Sequence, residues 1–164
     1  MINTDKTNVM RILDQKKIKY ESHFYPRGED IPTDGVTIAG FLKKDVATVF
    51  KTLVTRSASK TCYVFVVPVA EHLDLKKAAK AVGEKSIEMI RQDELLPLTG
   101  YIHGGCSPIG MKKKFRTTFH QSVTELETVT LSAGRVGAQI EIAPETLIKF
   151  IGAGVADIIV DNNS

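Results

Sequence analysis

The clearest pattern of apolar positions lies in the middle of the chain, where two runs of β-branched and aromatic residues flank a short polar turn. The first run covers residues 49–56 and the second covers residues 61–67. Such residues favour strands, and neither run contains a glycine or a proline. The pattern therefore predicts a β-hairpin. Because side chains alternate along a strand, Lys51 would share one face with Val49 and Leu53, in a largely apolar stretch.

Lys51 has two interpretations from this stretch alone. A lysine near the end of a strand commonly lays its methylene groups along apolar neighbours and keeps its ammonium in water. Lysines at sheet edges also prevent unwanted strand pairing. The alternative is an ammonium held at a functional site. The hairpin by itself favours the first interpretation and leaves the second open.

Helical and extended patterns alternate along the rest of the chain. The spacing of apolar residues predicts helices over residues 4–17, from residue 33 or 34 to about 42, over 73–82, over 92–98 and from Pro144 onward. We expect Thr4 or Asp5 to cap the first helix, Thr33 or Asp34 the second and Asp74 the third. Further strands are expected at residues 20–25, 86–90, 117–120, 128–132, 139–142 and 155–160, with residues 133–137 forming a turn.

This arrangement of elements predicts the fold class. Strands and helices are interspersed, but they do not follow a regular β–α–β order. We therefore expect one domain over residues 1–164 of the mixed α/β (α+β) class, with a curved, mixed, largely antiparallel sheet or partial barrel flanked by helices. A chain of 164 residues is long enough to enclose a substantial core.

Composition narrows the functional classes only slightly. The chain is 43% hydrophobic and 25% charged with a net charge of +3, which is compatible with a polyanionic partner. The N-terminus lacks an apolar signal segment, and the longest apolar run, residues 62–67, is too short to span a bilayer. We expect a cytoplasmic protein with no membrane partner. Cys62 and Cys106 form no close-spaced pair, so we expect no structural disulfide, and Cys62 should be a buried strand residue.

Two adjacent segments could carry chemistry. Residues 104–110 form a glycine-rich loop, in which backbone N–H groups can converge on an anion or a carbonyl oxygen. An ordinary wide turn is an equally good interpretation. Positive charge is concentrated immediately afterwards, at Lys112, Lys113, Lys114 and Arg116, with Phe115 among them. Such a run suits phosphate contacts, and a solvated basic edge is the alternative.

Other kinds of site are disfavoured. The four histidines are scattered, and His103 with Cys106 alone is a weak metal-binding pair. No serine lies in a nucleophile elbow, and Cys106 lacks the sequence signature of a cysteine hydrolase. We therefore expect neither a metal nor a cofactor, and we rank Cys106 lower as a nucleophile than as a loop residue.

Four segments in fixed order together resemble one family. They are residues 49–53, residues 68–77, residues 99–110 and residues 137–144. In register they resemble the YbaK/EbsC family, whose best-known members are Cys-tRNA(Pro) deacylases related to the editing domain of bacterial prolyl-tRNA synthetase. The resemblance extends from about Val9 to Ile159.

The resemblance implies a fold of that type and a trans-editing activity. Prolyl-tRNA synthetase mischarges tRNA(Pro) with cysteine, because two amino acids of similar size are poorly distinguished. A free-standing deacylase then cleaves the ester. The implied partner is the acceptor end of mischarged tRNA, which Lys112, Lys113, Lys114 and Arg116 would contact through its phosphates, and prolyl-tRNA synthetase is a candidate second partner.

The resemblance also implies roles for individual residues. Lys51 corresponds to the essential lysine, whose ammonium can hold the tRNA 3′ end and polarise the ester. The substrate's own thiol would attack that ester to give a cyclic thiolactone, so that no protein nucleophile is needed. The residues implied to bind the substrate are Tyr25, Ser132, Gly134, Gln139 and the loop Gly104, Gly105, Cys106, Ser107 and Pro108.

Two positions depart from the family pattern, and they leave alternatives open. Gln139 stands where some deacylases have aspartate, and Asp34 stands where a relative has an aromatic pocket residue. The alternatives are a deacylase for another small aminoacyl-tRNA, such as Ala-tRNA, and a non-catalytic module that binds the tRNA acceptor end.

Overall fold

The computed structural model describes residues 2–28, 30–31 and 34–161. The helices found in these residues are α1 (Asn8–Gln15), α2 (Gly35–Phe41), α3 (Leu75–Val82), α4 (Leu95–Thr99) and α5 (Pro144–Ile151). The strands are β1 (Glu21–Phe24), β2 (Phe50–Ser57), β3 (Cys62–Pro68), β4 (Ile87–Met89), β5 (Arg116–His120), β6 (Val129–Arg135), β7 (Ala138–Ile142) and β8 (Gly154–Ala156). The predicted hairpin is β2–β3, with Lys51 opposite Val67.

The strands form two sheets that meet at the start of β2. The larger has the order β4-β2-β3-β5-β8, and the smaller has the order β1-β7-β6. Neighbours are antiparallel except for the parallel pairs β3–β5 and β5–β8. A single parallel bridge joins Val49 to Thr130. The predicted mixed α/β class is confirmed, but two sheets replace the single sheet that we expected.

Strand β3 is buried on both faces, and this explains its unbroken apolar sequence. Val64 and Val66 face the main core, which packs between the two sheets and helices α1 and α5. Phe65 and Val67 face a second cluster, which α3 covers through its buried alanines. Hydrogen bonds to this buried strand therefore fix one edge of β2 along its length.

The helix boundaries agree with the predicted caps in two cases out of three. Asp34 caps α2 and Asp74 caps α3, as expected. For α1, however, the prediction of Thr4 or Asp5 is wrong. Thr7 caps this helix, because its Oγ1 accepts the N–H of Met10 at 3.3 Å. Helix α1 begins where burial begins, since Val9 and Met10 are its first core residues.

The predicted turn over residues 133–137 is shorter than expected and covers only residues 136–137, because β6 continues to Arg135. An irregularity in the pairing of β6 with β7 lies between Ser132 and Arg135. Gly134 lies at this point with φ of +93°, and a Cβ there would be 2.9 Å from the Tyr101 ring. Glycine is required here by the left-handed backbone and by the close approach of that ring.

Two predictions near strand ends need correction. The terminal strand β8 is limited to three residues, and its expected continuation to residue 160 is reduced to a bridge between Ile159 and Leu73. Cys62 is partly exposed rather than buried, since it is the first residue of β3 and lies outside the doubly covered part of the strand. No helix in the described part of the chain is both long and apolar enough to cross a membrane.

A polar cluster ties the segment after α2 to strands β1 and β7 of the small sheet. The carboxylate of Glu141 in β7 accepts hydrogen bonds from Lys44 Nζ at 2.7 Å and from Thr128 Oγ1. It also lies 2.8 Å from His23 Nε2 in β1. The Lys44 and Thr128 hydrogen bonds lower the pKa of Glu141 to about 2. The charged form is therefore stabilised in the folded protein.

We predict that Glu141 makes the stability of the protein sensitive to acid. Its folded pKa lies below the ordinary value of 4.5, so its contribution is present above pH 4.5 and is lost as the pH falls toward 2. Urea unfolding should show that Glu141→Gln removes on the order of 2 kcal/mol at pH 6 and much less at pH 2.5. Glu145→Gln, at an exposed position in α5, is the control. An equal loss at both pH values would contradict this assignment.

Candidate active site

A cleft of about 330 Å³ opens where the two sheets diverge. Its walls are α2, the first residues of β2, the segment from His103 to Cys106, and inward-facing residues of β6 and β7. Of the residues predicted to bind or act on a substrate, the cleft brings together Lys51, Gly104, Cys106, Ser132 and Gln139. This volume falls at the lower end of the range of about 300–1,000 Å³ that is typical of small-molecule sites.

Lys51 lies in the wall of this cleft, one residue into β2. Its side chain is half-buried, and burial lowers its pKa from the ordinary value of 10.5, while the negative charge of Glu71 acts in the opposite direction. Partial removal from water strengthens any interaction that the ammonium makes with a bound oxygen. The structure therefore places Lys51 at the cleft and partly out of water, and its role in catalysis stays a prediction.

Thr52 is a cleft residue that the sequence analysis did not single out. Strand β4 pairs with Thr55–Ser57, so the earlier part of β2 extends beyond β4 on that side. The carbonyl of Val54 points toward this side and accepts the N–H of Ile90 at 3.3 Å. The carbonyl of Thr52, two residues earlier in the strand, has the same orientation. The Oγ1 of Thr52 is buried without a hydrogen-bond partner among the described residues. Thr52 thus lines the cleft, and its hydroxyl is a buried polar group next to it.

Gln139 provides a second buried oxygen at the cleft. It is 5% exposed, and its Oε1 has no hydrogen-bond partner in the part of the chain that the structure describes. Leaving such an acceptor unpaired costs free energy, about 1–3 kcal/mol for a buried group. Ser132, opposite Gln139 in the β6–β7 ladder, uses its Oγ to accept the N–H of Gly134 at 3.1 Å. Gln139 therefore brings a buried, unpaired acceptor to the lining of the cleft, and its role in substrate binding stays a prediction.

The glycine-rich loop contacts the cleft through some of its residues and packs against β6 and the turn after it through others. Gly104 and Cys106 line the cleft, whereas Gly105 packs against the backbone of residues 135–136, where a Cβ would come within 2.9 Å of the Val136 nitrogen. Tyr101 Oη donates a hydrogen bond to the carbonyl of Ile109. Since both ends are anchored in this way, the loop is a preformed wall.

Ser107 and Pro108, which the family resemblance assigned to substrate binding, lie on the other side of the loop. Ser107 is fully buried, and its Oγ accepts the N–H of Ile109 at 3.2 Å. Pro108 lines a separate cavity. These two residues support the loop, and neither belongs to the lining of the cleft.

Tyr25 and Gly134 also lie outside the lining of the cleft. Tyr25 is 2% exposed and stacks on Phe41 of α2, with 6.5 Å between the ring centroids. It therefore supports the helix that forms one wall. Gly134 lies against Tyr101, as described above, and so supports the loop. Both residues are placed to position the walls of the cleft.

The lining of the cleft also includes apolar side chains. Val36 and Ile38 come from α2, Val69 follows β3 and Leu95 begins α4, and none of them carried a functional signal in the sequence. Asp34 lies there too, but its carboxylate accepts hydrogen bonds from the N–H of Thr37 at 3.1 Å and from its hydroxyl at 2.7 Å. These hydrogen bonds lower the pKa of Asp34. Its carboxylate therefore acts as a helix cap at the rim.

The basic segment projects from the neighbouring surface. Lys112, Lys113, Lys114 and Arg116 are all exposed, and none belongs to the lining of the cleft. The segment follows directly after the glycine-rich loop, and part of that loop is a wall of the cleft. The positive charge is therefore close in sequence to the cleft lining. Their role as phosphate contacts stays a prediction.

One group of side chains outside the cleft has the geometry of a metal site. Glu21, His23 and Glu141 place ligand atoms within 4.8 Å of one another. The carboxylate of Glu141, however, already accepts hydrogen bonds from the Lys44 ammonium and from Thr128. A metal ion would have to compete with that ammonium for the same carboxylate. Within the described residues, the group thus serves as an ion-pair cluster.

Cys106 has the properties of a structural residue. Its thiol is buried, and burial raises its pKa to about 12. The thiolate is the nucleophilic form of cysteine, and it is a negligible fraction at neutral pH when the pKa is so high. The cleft therefore offers a half-buried cation and polar acceptors, without an activated cysteine.

This difference between the two cysteines should be visible in alkylation. At pH 7.5 we expect iodoacetamide to modify the partly exposed Cys62 in the native protein, while Cys106 stays at least tenfold less modified because it is buried and protonated. Mass spectrometry of peptides would measure both sites, and the same reaction in urea is the control, in which both should react. Equal modification in the native protein would show that Cys106 is accessible and ionised.

Comparison with known proteins connects this geometry to one family. The model of the aminoacyl-tRNA editing domain matches residues 34–150. A protein of Enterococcus faecalis, named as a candidate Cys-tRNA(Pro)/Cys-tRNA(Cys) deacylase, EbsC, is 40% identical over 153 residues, which cover 93% of each chain. The resemblance to the YbaK/EbsC family that the sequence indicated is confirmed.

Solved structures show the same fold at low sequence identity. A candidate trans-editing enzyme for prolyl-tRNA synthetase is 22% identical with a TM-score of 0.78, over 96% of this chain and 100% of the other. A scaffold protein from computational epitope grafting is 23% identical with a TM-score of 0.82, over 93% and 95%. With the fold, the cleft and these matches in agreement, the chain belongs to the family of aminoacyl-tRNA editing domains.

Proposed function

We propose that the protein is an aminoacyl-tRNA deacylase that clears mischarged Cys-tRNA(Pro). The observation that carries this proposal is the half-buried ammonium of Lys51, which shares a preformed cleft with the backbone of Gly104. A cation and a fixed backbone wall on one small cavity suit an ester at the end of a polyanion. The 40% identity to EbsC supports the same activity.

In the proposed complex, the cleft receives the aminoacyl group and the terminal ribose. The Lys51 ammonium would lie beside the ester, where it can stabilise negative charge that develops on the carbonyl oxygen. Gln139 Oε1, the buried acceptor without a partner, would accept a hydrogen bond from the α-ammonium of the aminoacyl group. These two contacts would fix the ester between a donor and an acceptor.

The reaction that fits this site uses the substrate's own thiol. The cysteinyl sulfur forms a bond to the ester carbonyl carbon, and the bond from that carbon to the ribose oxygen breaks. The thiol proton ends on the ribose oxygen, so the products are a cyclic thiolactone and uncharged tRNA. The protein contributes orientation and charge stabilisation. The raised pKa of Cys106 agrees with a mechanism that needs no protein nucleophile.

Selection of cysteine would follow from this mechanism more than from the pocket. Apolar side chains such as Ile38, Val69 and Leu95 tolerate several small aminoacyl groups, because differences of one small group are worth only about 1–3 kcal/mol. A substrate without a thiol would bind and would not react. Discrimination would therefore reside in the chemical step.

The substrate defines the partners that we propose. Mischarged tRNA is the product of a synthetase error, so prolyl-tRNA synthetase is the expected source of the substrate and a candidate partner. The protein would act in the cytoplasm, where tRNA is charged. Exposed lysines such as Lys113 and Lys114 would contact the phosphates of the acceptor end.

Removal of the Lys51 ammonium should abolish most of the activity. We expect Lys51→Met, which keeps an unbranched apolar side chain, to slow single-turnover deacylation of Cys-tRNA(Pro) roughly 100- to 1,000-fold, as the loss of one electrostatic donor does in other enzymes. Lys76→Met, at an exposed position in α3, is the matched control and should keep full activity. Wild-type rates in Lys51→Met, with the fold verified by urea unfolding, would contradict the proposal.

A panel of substrates separates the alternative functions. Under single-turnover conditions we expect rapid cleavage of Cys-tRNA(Pro), while Ala-tRNA(Pro) and Ser-tRNA(Pro) persist, because only the cysteinyl group carries the attacking thiol. Robust cleavage of the alanyl ester would replace the thiol mechanism with a general small-aminoacyl deacylase. Salt-sensitive tRNA binding without turnover of any of these substrates would indicate a non-catalytic acceptor-end binding module.

Substitution of Gln139 should change activity and stability in opposite directions. Gln139→Leu removes a buried acceptor that has no protein partner, so we expect the free energy of unfolding to stay equal or to rise. The same change should lower kcat/KM roughly tenfold to 100-fold through the lost substrate contact. Kinetics and urea unfolding of the same preparation test both parts. A destabilised variant with normal kcat/KM would assign Gln139 a structural role.

A further inference from the structure

The glycine-rich loop forms a wall of a second cavity on the side away from Lys51. This cavity has a volume of about 200 Å³ and lies between α1, the segment from Pro108 to Thr117, and the end of α5. Nothing in the proposed reaction uses it. It is smaller than the range of about 300–1,000 Å³ that is typical of drug-sized ligands, and its size suits a single planar group.

The lining of the second cavity combines aromatic and cationic side chains. Phe115 and Phe150 contribute partly buried rings, and Lys113 and Lys114 contribute exposed ammonium groups. The described residues that line it include no carboxylate. A ring that stacks and phosphates that pair with lysine are the two contacts by which proteins hold single-stranded nucleic acid. A free phosphate would leave the rings unused, and an apolar ligand would leave the lysines unused.

The loop contributes to the linings of both cavities. Cys106 lines the cleft and Pro108 lines the second cavity. These residues are two positions apart, so their Cα atoms are separated by at most about 7 Å. The two linings are therefore continuous along one short segment of chain, and an RNA strand that follows this segment would contact both.

This spacing is preserved because the loop cannot move freely. The Oη of Tyr101 donates a hydrogen bond to the carbonyl of Ile109, and Ser107 Oγ accepts the N–H of Ile109 at 3.2 Å. Ile109 itself is 2% exposed and lines the second cavity. A ligand group in the second cavity would thus fix the register of whatever enters the cleft.

We propose that the second cavity binds the base of a cytidine just upstream of the terminal adenosine of the tRNA 3′ end. Phe115 stacks on that base, and Lys113 and Lys114 contact the adjoining phosphates. The assignment rests on the proposed function for the position of the terminal adenosine. It adds a subsite that binds single-stranded RNA through stacking and phosphate contacts. Binding there would position the aminoacyl group next to Lys51.

Binding of uncharged RNA tests this subsite without any need for turnover. The probe is a fluorescent RNA microhelix that ends in a single-stranded ACCA, and the readout is anisotropy. An abasic substitution at one of the two cytidines should weaken binding by wild-type protein roughly tenfold, as the loss of one stacked base does elsewhere. Phe115→Leu should bind the intact probe about as weakly and should lose little more with the abasic probe.

The lysines are tested by the salt dependence of the same binding. We expect Lys113→Ala with Lys114→Ala to reduce the slope of log K against log salt concentration by about 1.4, since two phosphate contacts to a single strand are removed. Lys76→Ala with Lys80→Ala lowers the net charge equally at exposed positions in α3 and should leave the slope unchanged. Equal slopes in both double variants would overturn the proposed phosphate contacts.

The outcomes separate this inference from the deacylase assignment. Cleavage of Cys-tRNA(Pro) together with wild-type RNA binding by Phe115→Leu and by the Lys113, Lys114 double variant would overturn the second subsite and leave the deacylase in place. The expected binding losses without turnover of any mischarged tRNA would support the subsite and overturn the deacylase. If Phe115→Leu is unstable in urea unfolding, the lysine double variant alone decides between the two results.

Discussion

The proposed activity depends on the Lys51 side chain, which the fold keeps half-buried at the start of β2. Burial lowers the pKa of this group, and the charge of Glu71 opposes that shift. The position is maintained by the pairing of β2 with β3 and by the bridge from Val49 to Thr130, which brings the smaller sheet against the same strand end. The cleft exists because the two sheets part just beyond that bridge.

Around this lysine the walls are rigid for separate reasons. The loop wall is anchored by Tyr101, and Gly105 permits its close approach to Val136. The helical wall is capped by Asp34, and the segment after it is tied to β7 through Lys44 and Glu141. Two buried oxygens at the cleft, on Thr52 and Gln139, lack a described protein partner. A site with unpaired acceptors favours a ligand that brings its own hydrogen-bond donors.

Local features of the fold could be predicted from the sequence, and long-range ones could not. The β2–β3 hairpin follows from alternation and a short turn, and the α3 cap follows from Asp74. The way in which the two sheets meet depends on the bridge between Val49 and Thr130, which are distant in the chain and carry no mutual signal in the sequence. Within the site, Lys51 stood out as a cation in an apolar run, whereas Thr52 and Leu95 resembled ordinary strand and helix residues. The resemblance implies substrate contacts for Tyr25 and Pro108, and the structure places both residues outside the lining of the cleft.

The central claim is that the Lys51 ammonium faces the aminoacyl ester, and nuclear magnetic resonance of its side chain tests this most directly. The side chain would be titrated alone and with an amide analogue of cysteinyl-adenosine, which cannot be cleaved. We predict a pKa below the ordinary lysine value of 10.5 in the free protein and a clear change in the Nζ resonance when the analogue binds. An ordinary lysine titration that the bound analogue leaves unchanged would contradict the account.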